Sequence, residues 1–229
     1  DYSVLMIVPR NDDVLPTHSG QNLLEEHWQA LEQPRHLRWW PVANIRTRGY
    51  PYSLPTVKSV LNHGLWEGVP DLDAREQIRR ESRNDPLTDY PVLRDWHPTF
   101  GQRSSLVPPG MYFTHCIMNV AFRPEVVPFM FMPPLPAGMQ RGDDIWCGVI
   151  FKRIADLMGW AVTSGAPVVR HERASDPIVN LEREFLGYGI HEELWQAVDR
   201  FLLPQKDPLV LYERISSQLA DAFPQLART

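Results

Sequence analysis

RGDDIWCGVIFKRIADLMGWAVTSGAPVVRHERASDPIVN, residues 141–180, is the stretch whose reading decides the fold. It opens with two adjacent carboxylates, Asp143 and Asp144, at a helix start. Apolar residues then recur at Trp146, Ile150, Ile154 and Leu157, a spacing of four, four and three that lines one helical face. Gly159 ends that helix. Two short apolar runs, Trp160 to Thr163 and Ala166 to Val169, follow, and the second delivers His171 to a polar loop. Ser175-Asp176-Pro177 reads as another helix start, with Pro177 close to the first helical position. Taken alone, Asp143 reads as a helix cap and His171 as a strand-end histidine. Read together, carboxylates at a helix start and an imidazole at a strand end facing one cavity suit a divalent metal holding an anionic ligand.

Outward from this stretch, the totals bound the answer. With 229 residues, one large domain is the better prior, and eight tryptophans support a sizeable core. Twenty-two prolines assign long stretches to loop or extended chain. A net charge of −5 argues against a nucleic-acid binder. The two cysteines, Cys116 and Cys147, stand in unrelated contexts and read as buried thiols of a reducing compartment, which makes the cytoplasm the expected location. No apolar run approaches the ~20 residues that span a bilayer. The chain begins at Asp1, without methionine or signal peptide, and is expected to be part of a longer product.

Upstream, Tyr2 to Val8 is an apolar run of strand length ending in Pro9-Arg10-Asn11-Asp12-Asp13. Acidic residues just past the carboxyl end of a buried strand sit where open α/β sheets bind ligands. A helix is predicted from Gln21 to Glu32, with Leu23, Leu24, His27, Trp28 and Leu31 inward. Leu37 to Ile45 and Val57 to Trp66 read as strands, and Arg46 to Leu54, with two arginines and two tyrosines, as a loop. Arginine beside aromatic rings suits an anionic ligand carrying a flat base or sugar, and equally an exposed turn. A polar segment continues to Arg83, and Asn84 to Pro109 reads as irregular. Met111 to Arg123 is strand-like, and Pro124 opens a short helix limited by Pro128. Helices are predicted from His191 to Leu203 and from Pro208 to Phe223, the second with Leu211, Ile215, Leu219 and Ala222 on one face.

The run from Arg141 to Gly187 resembles the reversibly glycosylated polypeptide family, the UDP-arabinopyranose mutases of plants. Three further blocks match in the same order: SGQNLLEEHW at 19–28, RGYPYSL at 48–54 with NHGLWEGVPDLDA at 62–74, and MNVAF at 118–122. The resemblance implies an α/β fold with a GT-A-like, Rossmann-type mixed sheet flanked by helices. Family members carry a further stretch before the acidic strand, so the N-terminal nucleotide-binding part is expected to be missing or shortened here. One domain over residues 1–229 is expected, with a family-matching core to residue 190 and a helical extension beyond.

The resemblance also implies a UDP-sugar ligand and manganese, or magnesium, as metal. Counted without gaps, the family's triple-aspartate motif falls on Pro9-Arg10-Asn11; the acidic residues just beyond, Asp12 and Asp13, are the implied metal ligands, with His171 completing the site. Arg48 matches the family's glycosylated arginine, and Asp143 and Asp144 its second acidic pair. Tyr50, Tyr52 and Arg170 are the expected substrate-binding residues. A guanidinium stays protonated, so Arg48 acts as a nucleophile only if a carboxylate such as Asp144 takes its proton; otherwise it holds the departing diphosphate by paired hydrogen bonds. Two functions stay open: a mutase or related metal-dependent glycosyl transferase, or an inactive relative serving as a subunit. Either is expected to form a homo- or hetero-oligomer in the cytoplasm or at the Golgi periphery.

Overall fold

The structure, a computed structural model, describes residues 5–7, 14–16, 23–37, 55–68, 71–81, 104–132, 135, 138–171, 176–200 and 207–224. In chain order the elements are β1 (Leu5–Ile7), β2 (Val14–Pro16), α1 (Leu23–Glu32), β3 (Ser59–Gly68), α2 (Ala74–Glu81), β4 (Ser105–Leu106), β5 (Val120–Phe122), α3 (Asp143–Met158), β6 (Ala161–His171), α4 (Pro177–Asp199) and α5 (Pro208–Ala222). The six strands form one mixed sheet in the order β1-β5-β3-β6-β2, with β4 also paired to β6. Its centre is the parallel pair β3–β6, running from Ser59 opposite Ala161 to Gly68 opposite His171. The other pairs are antiparallel.

Helices cover both faces. Consecutive strand residues point to opposite sides: Asn62 reaches His27 of α1, whereas His63 meets Phe113 edge-on, in the segment whose His115 packs on Phe151 of α3. The main core joins sheet residues Leu61, Val120, Phe122 and Val162 to Trp146, Phe151 and Ile154 of α3, and to Leu194, Ile215 and Phe223 farther on. Each large side chain buried this way contributes about 1.5–3 kcal/mol, which is why α3, α4 and α5 pack mutually.

On the α1 side the sheet carries a network of polar groups bonded to one another. His27 donates from Nε2 to Asn119 Oδ1 and accepts at Nδ1 from Asn62, both at 2.9 Å. The Asn62 amide also donates to Ala166 O at 2.8 Å, and Thr163 Oγ1 donates to Asn62 Oδ1 at 2.8 Å. The Asn119 amide donates to Leu65 O and Pro167 O. This pattern fixes a neutral His27, and burial pushes its pKa down to about 4 despite the Asn119 bond.

The network also pins an irregularity that corrects one expectation. The runs Trp160–Thr163 and Ala166–Val169 are not separate: all of both but Trp160 lies in one strand, β6. Gly64 faces Gly165 while its neighbour Leu65 faces Val168, so Ala166 and Pro167 bulge out of the ladder. Asn62 and Asn119 take the carbonyls the bulge releases.

Other boundaries move as well. The strand expected over Met111–Arg123 shrinks to Val120–Phe122, preceded by a 3-10 turn at Ile117–Asn119. The polar segment before Arg83 carries α2. The helix start expected at Ser175-Asp176-Pro177 is present, with the Asp176 carboxylate accepting from Ile178 and Val179 N–H, and the helix expected from His191 is its continuation rather than a separate element. Helix α4 runs through Gly187, where a Cβ would come within 2.7 Å of Met139 Cε. In α1, Leu24 is 44 % exposed and Trp28 half-buried, while Glu26, His27, Ala30 and Leu31 are buried, since this helix faces the polar side of the sheet. In α5, Leu211, Ile215 and Leu219 are buried as expected, but Ala222 is exposed. The expected strand over Leu37–Ile45 and the loop Arg46–Leu54 lie outside the described residues, save Leu37 itself.

Candidate active site

The carboxyl ends of the parallel strands β3 and β6 lie together, with Gly68 opposite His171. In open α/β sheets this edge is where ligands bind. Because α3 leads back along the sheet into β6, its N-terminus lies at the same edge. Gly142 precedes that terminus with φ 116°, a left-handed conformation suited to glycine, and makes no side-chain cap. Asp143 is therefore not the cap residue foreseen for it. Both aspartates stand in the first helical turn, and Asp144 Oδ1 accepts from Ile145 N–H at 2.9 Å. The free amides of a helix start favour negative charge there.

A third carboxylate joins them from far away in sequence. Asp71 follows β3, and its Oδ2 accepts from the Cys116 thiol at 2.9 Å; Met118 N–H in turn donates to that sulfur. Burial, above all, and then the charges of Asp71 and Asp143 raise the Asp144 pKa, opposed by the Ile145 N–H and by Arg141. The Cys116 thiol is pushed far up by burial, Asp71 and Asp144, so it stays a protonated donor. The group is thus three carboxylates and a thiol at the mouth of a helix, with the Asp144 carboxyl raised above its ordinary range.

Around it a second layer locks the chain. Asp73 Oδ1 accepts from Glu76 N–H at 2.8 Å at the start of α2. Glu184 of α4 accepts from Ala74 N–H at 2.8 Å and from the Tyr188 hydroxyl at 3.0 Å, and pairs with Arg141 Nε at 3.3 Å. Arg141 also donates to Asn180 Oδ1 at 2.6 Å. His191 stacks on Trp195 at 5.8 Å and meets Trp146 edge-on at 6.1 Å, which braces α4 beside the entry to α3.

Of the residues singled out in the sequence, Asp143 and Asp144 lie in this group. Arg170 Nη1 stands 3.9 Å from Glu67 Oε1, near the end of the sheet, and half-buried His171 closes β6. The strand Val14–Pro16 pairs with β6 so that Val14 faces His171. Arg48, Tyr50, Tyr52, Asp12 and Asp13 lie outside the described residues. Asp71, Glu184 and Tyr188 were not singled out, and Cys116 was read only as a buried thiol. The signal used for Asp12 and Asp13, acid just past a buried strand, was present for Asp71 and Asp73 too.

A mixed sheet flanked by helices, with a polar group gathered beyond its parallel carboxyl ends, defines an α/β protein of Rossmann-like architecture. The sequence narrows this further. The profile of the family "Reversibly glycosylated polypeptide" matches residues 43–210, and the chain belongs to that family. It is 36 % identical over 191 residues to a probable UDP-arabinopyranose mutase 1 of Pisum sativum, covering 78 % of this chain and 49 % of that protein. With UDP-arabinopyranose mutase 3 of Arabidopsis thaliana it shares 31 % identity over 204 residues, 83 % of this chain and 52 % of the other. With UDP-arabinopyranose mutase 1 of Oryza sativa subsp. japonica it shares 31 % over 192 residues, 79 % and 49 % of the two chains. The chain spans about half the length of the curated relatives it matches. Among the described residues no helix is long and apolar enough to cross a membrane.

Proposed function

We propose that this protein is a sugar-nucleotide enzyme, a UDP-arabinopyranose mutase or a related glycosyl transferase built on a GT-A-type sheet. The observation that carries the reading is that the family match contains the whole Asp71–Cys116–Asp143–Asp144 group. In the mutase reaction the bond between sugar C1 and UDP breaks, the ring rearranges, and UDP is recaptured. Such a reaction needs a group that takes and returns a proton at a sugar hydroxyl. Asp144, its carboxyl raised by burial and by two neighbouring carboxylates, is the group suited to that exchange. Asp143, half-buried beside it, accepts from a second hydroxyl. Arg48 either takes the sugar, giving its proton to Asp144, or clamps the diphosphate. Tyr50 and Tyr52 stack on sugar or uracil, and Arg170 pairs with phosphate.

For the metal the donor chemistry, carboxylate oxygen with one imidazole, favours manganese over magnesium. Among the described residues no group of three His, Cys, Asp or Glu is arranged to hold a metal ion. The proposed ligands, taken from the family resemblance, are Asp12 and Asp13 joined by His171. A bound manganese would neutralise the leaving diphosphate. Incubation with UDP-arabinopyranose and manganese should yield the furanose form. No conversion, together with no UDP release from any common UDP-sugar, refutes catalysis.

A second reading, an inactive relative acting as a subunit of a homo- or hetero-oligomer, is favoured by Pro9-Arg10-Asn11 standing in register with the family's acidic triplet. Calorimetric titration with UDP separates the two: manganese-dependent binding supports the enzyme and silence the subunit. We place the protein in the cytoplasm or at the Golgi periphery, to be checked by fractionation.

A further inference from the structure

Asp71 and the pair Asp143–Asp144 come from separate segments, and one side chain, Glu184, is bonded to a near neighbour of each. Glu184, 9 % exposed on α4, holds Ala74 N–H through Oε2, three residues after Asp71. Through Oε1 it holds Arg141, two residues before Asp143. The Tyr188 hydroxyl donates to the same Oε2, lies 3.2 Å from Asp73 Oδ1 and accepts from Arg75 N–H. All three partners of Glu184 are donors. An ionised carboxylate can accept from each, whereas a glutamine must turn its own NH2 toward either Arg141 or Ala74. A shorter aspartate cannot reach both.

From this geometry we infer that Glu184 is a positioning residue, which sets the approach of Asp71 to Asp144 by tying the start of α2 and the entry of α3 to one carboxylate. Its consequence for turnover rests on the proposed function; its effect on the carboxylates does not. Among the described residues the charges acting on Asp144 are Asp71, Asp143 and Arg141, and the Cys116 thiol, bonded to Asp71, also feels the Asp144 charge. Glu184 acts through Asp71, by holding it close.

The test is an NMR titration of side-chain carboxyls in the full chain labelled at aspartate, with the Asp144 signal assigned by Asp144→Asn. In Glu184→Gln the start of α2 loosens, Asp71 withdraws, and the apparent Asp144 pKa falls by half a unit or more, about a threefold change in acid dissociation. Asp71→Asn produces the same fall. The double variant falls no further than the larger single one, because both act on one pair. A purely structural Glu184 would lower the melting temperature and leave the Asp144 titration in place, and that result overturns the inference. Additive shifts in the double variant overturn it too, since Glu184 would then act by another route. If Glu184→Gln fails to fold, Tyr188→Phe, which removes one of the carboxylate's donors, should give a smaller fall in the same direction; an unmoved Asp144 refutes the role. Should the wild type convert no UDP-sugar, the titration still decides whether Glu184 positions the group.

Discussion

Acidification from pH 7 to pH 5 should destabilise this protein through histidines locked in the neutral form, and His27 shows why. Its two ring nitrogens are engaged by Asn119 and Asn62 in a pattern that only the neutral ring completes. The folded pKa is about 4 against an ordinary 6.5, with burial as the main cause. Below 6.5 the unfolded chain takes up a proton that the folded one refuses, so this stability is present above pH 6.5 and is lost as pH falls toward 4. Over two pH units, mostly below the unfolded pKa, the loss is about 2 kcal/mol for this residue. His63, pushed down to about 3, and His115, down to about 4, add losses of the same sign, burial again being the first cause. The sum is comparable with the ~5–15 kcal/mol that holds a typical domain together. Urea unfolding at pH 7, 6 and 5 measures the slope, and His27→Gln, which cannot titrate, isolates one share. The wild type should lose about 2 kcal/mol more than the variant across the interval. Equal slopes would refute the reasoning.

Three further outcomes are expected. Gly64→Ala places a Cβ 2.2 Å from Asn119 Nδ2 and 2.5 Å from the backbone oxygen of Pro167, so it should destabilise by about 2 kcal/mol or more, read by urea unfolding. Asp176→Ala removes the acceptor for Ile178 and Val179 N–H and should cost about 1 kcal/mol, seen as a lower melting temperature with the fold intact by circular dichroism. Asp144→Asn should lower kcat for UDP-sugar conversion by about 100-fold or more with KM little changed, as removal of a proton-exchanging group does; unchanged kcat would remove Asp144 from the chemistry.

What could be read from the residues follows from the range of the forces involved. Helix α3 was legible because its period, its acidic first turn and Gly159 are all local. The same holds for α5, where Leu211, Ile215 and Leu219 recur at four-residue spacing, and for the start of α4 at Asp176 and Pro177. Failures came where a distant partner overrode a local signal. Gly187 looks like a breaker, costing about 1 kcal/mol in a helix, yet α4 runs through it, with Met139 and His191 packed close against it. Gly165-Ala166-Pro167 looks like a gap between strands, yet amides from Asn62 and Asn119 carry β6 through it. In α1 the apolar face misled, because the sheet surface beneath is polar. The site divided in the same way: Asp143 and Asp144 announce themselves by adjacency, whereas the approach of Asp71 and Cys116 depends on the tertiary fold.

The central parallel ladder has a consequence for biosynthesis. Thr163 in β6 bonds Leu61 in β3 across 102 residues of chain, so the middle of the sheet cannot zip until the ribosome has released β6. At ~5–20 residues per second that is a wait of several seconds or more, during which the Val60–Leu61 segment of β3 can pair with β5 on one side but lacks β6 on the other. Assembly is thus governed by a late, long-range event of the kind that slows folding, and a chaperone holding the nascent chain has its natural target in that strand.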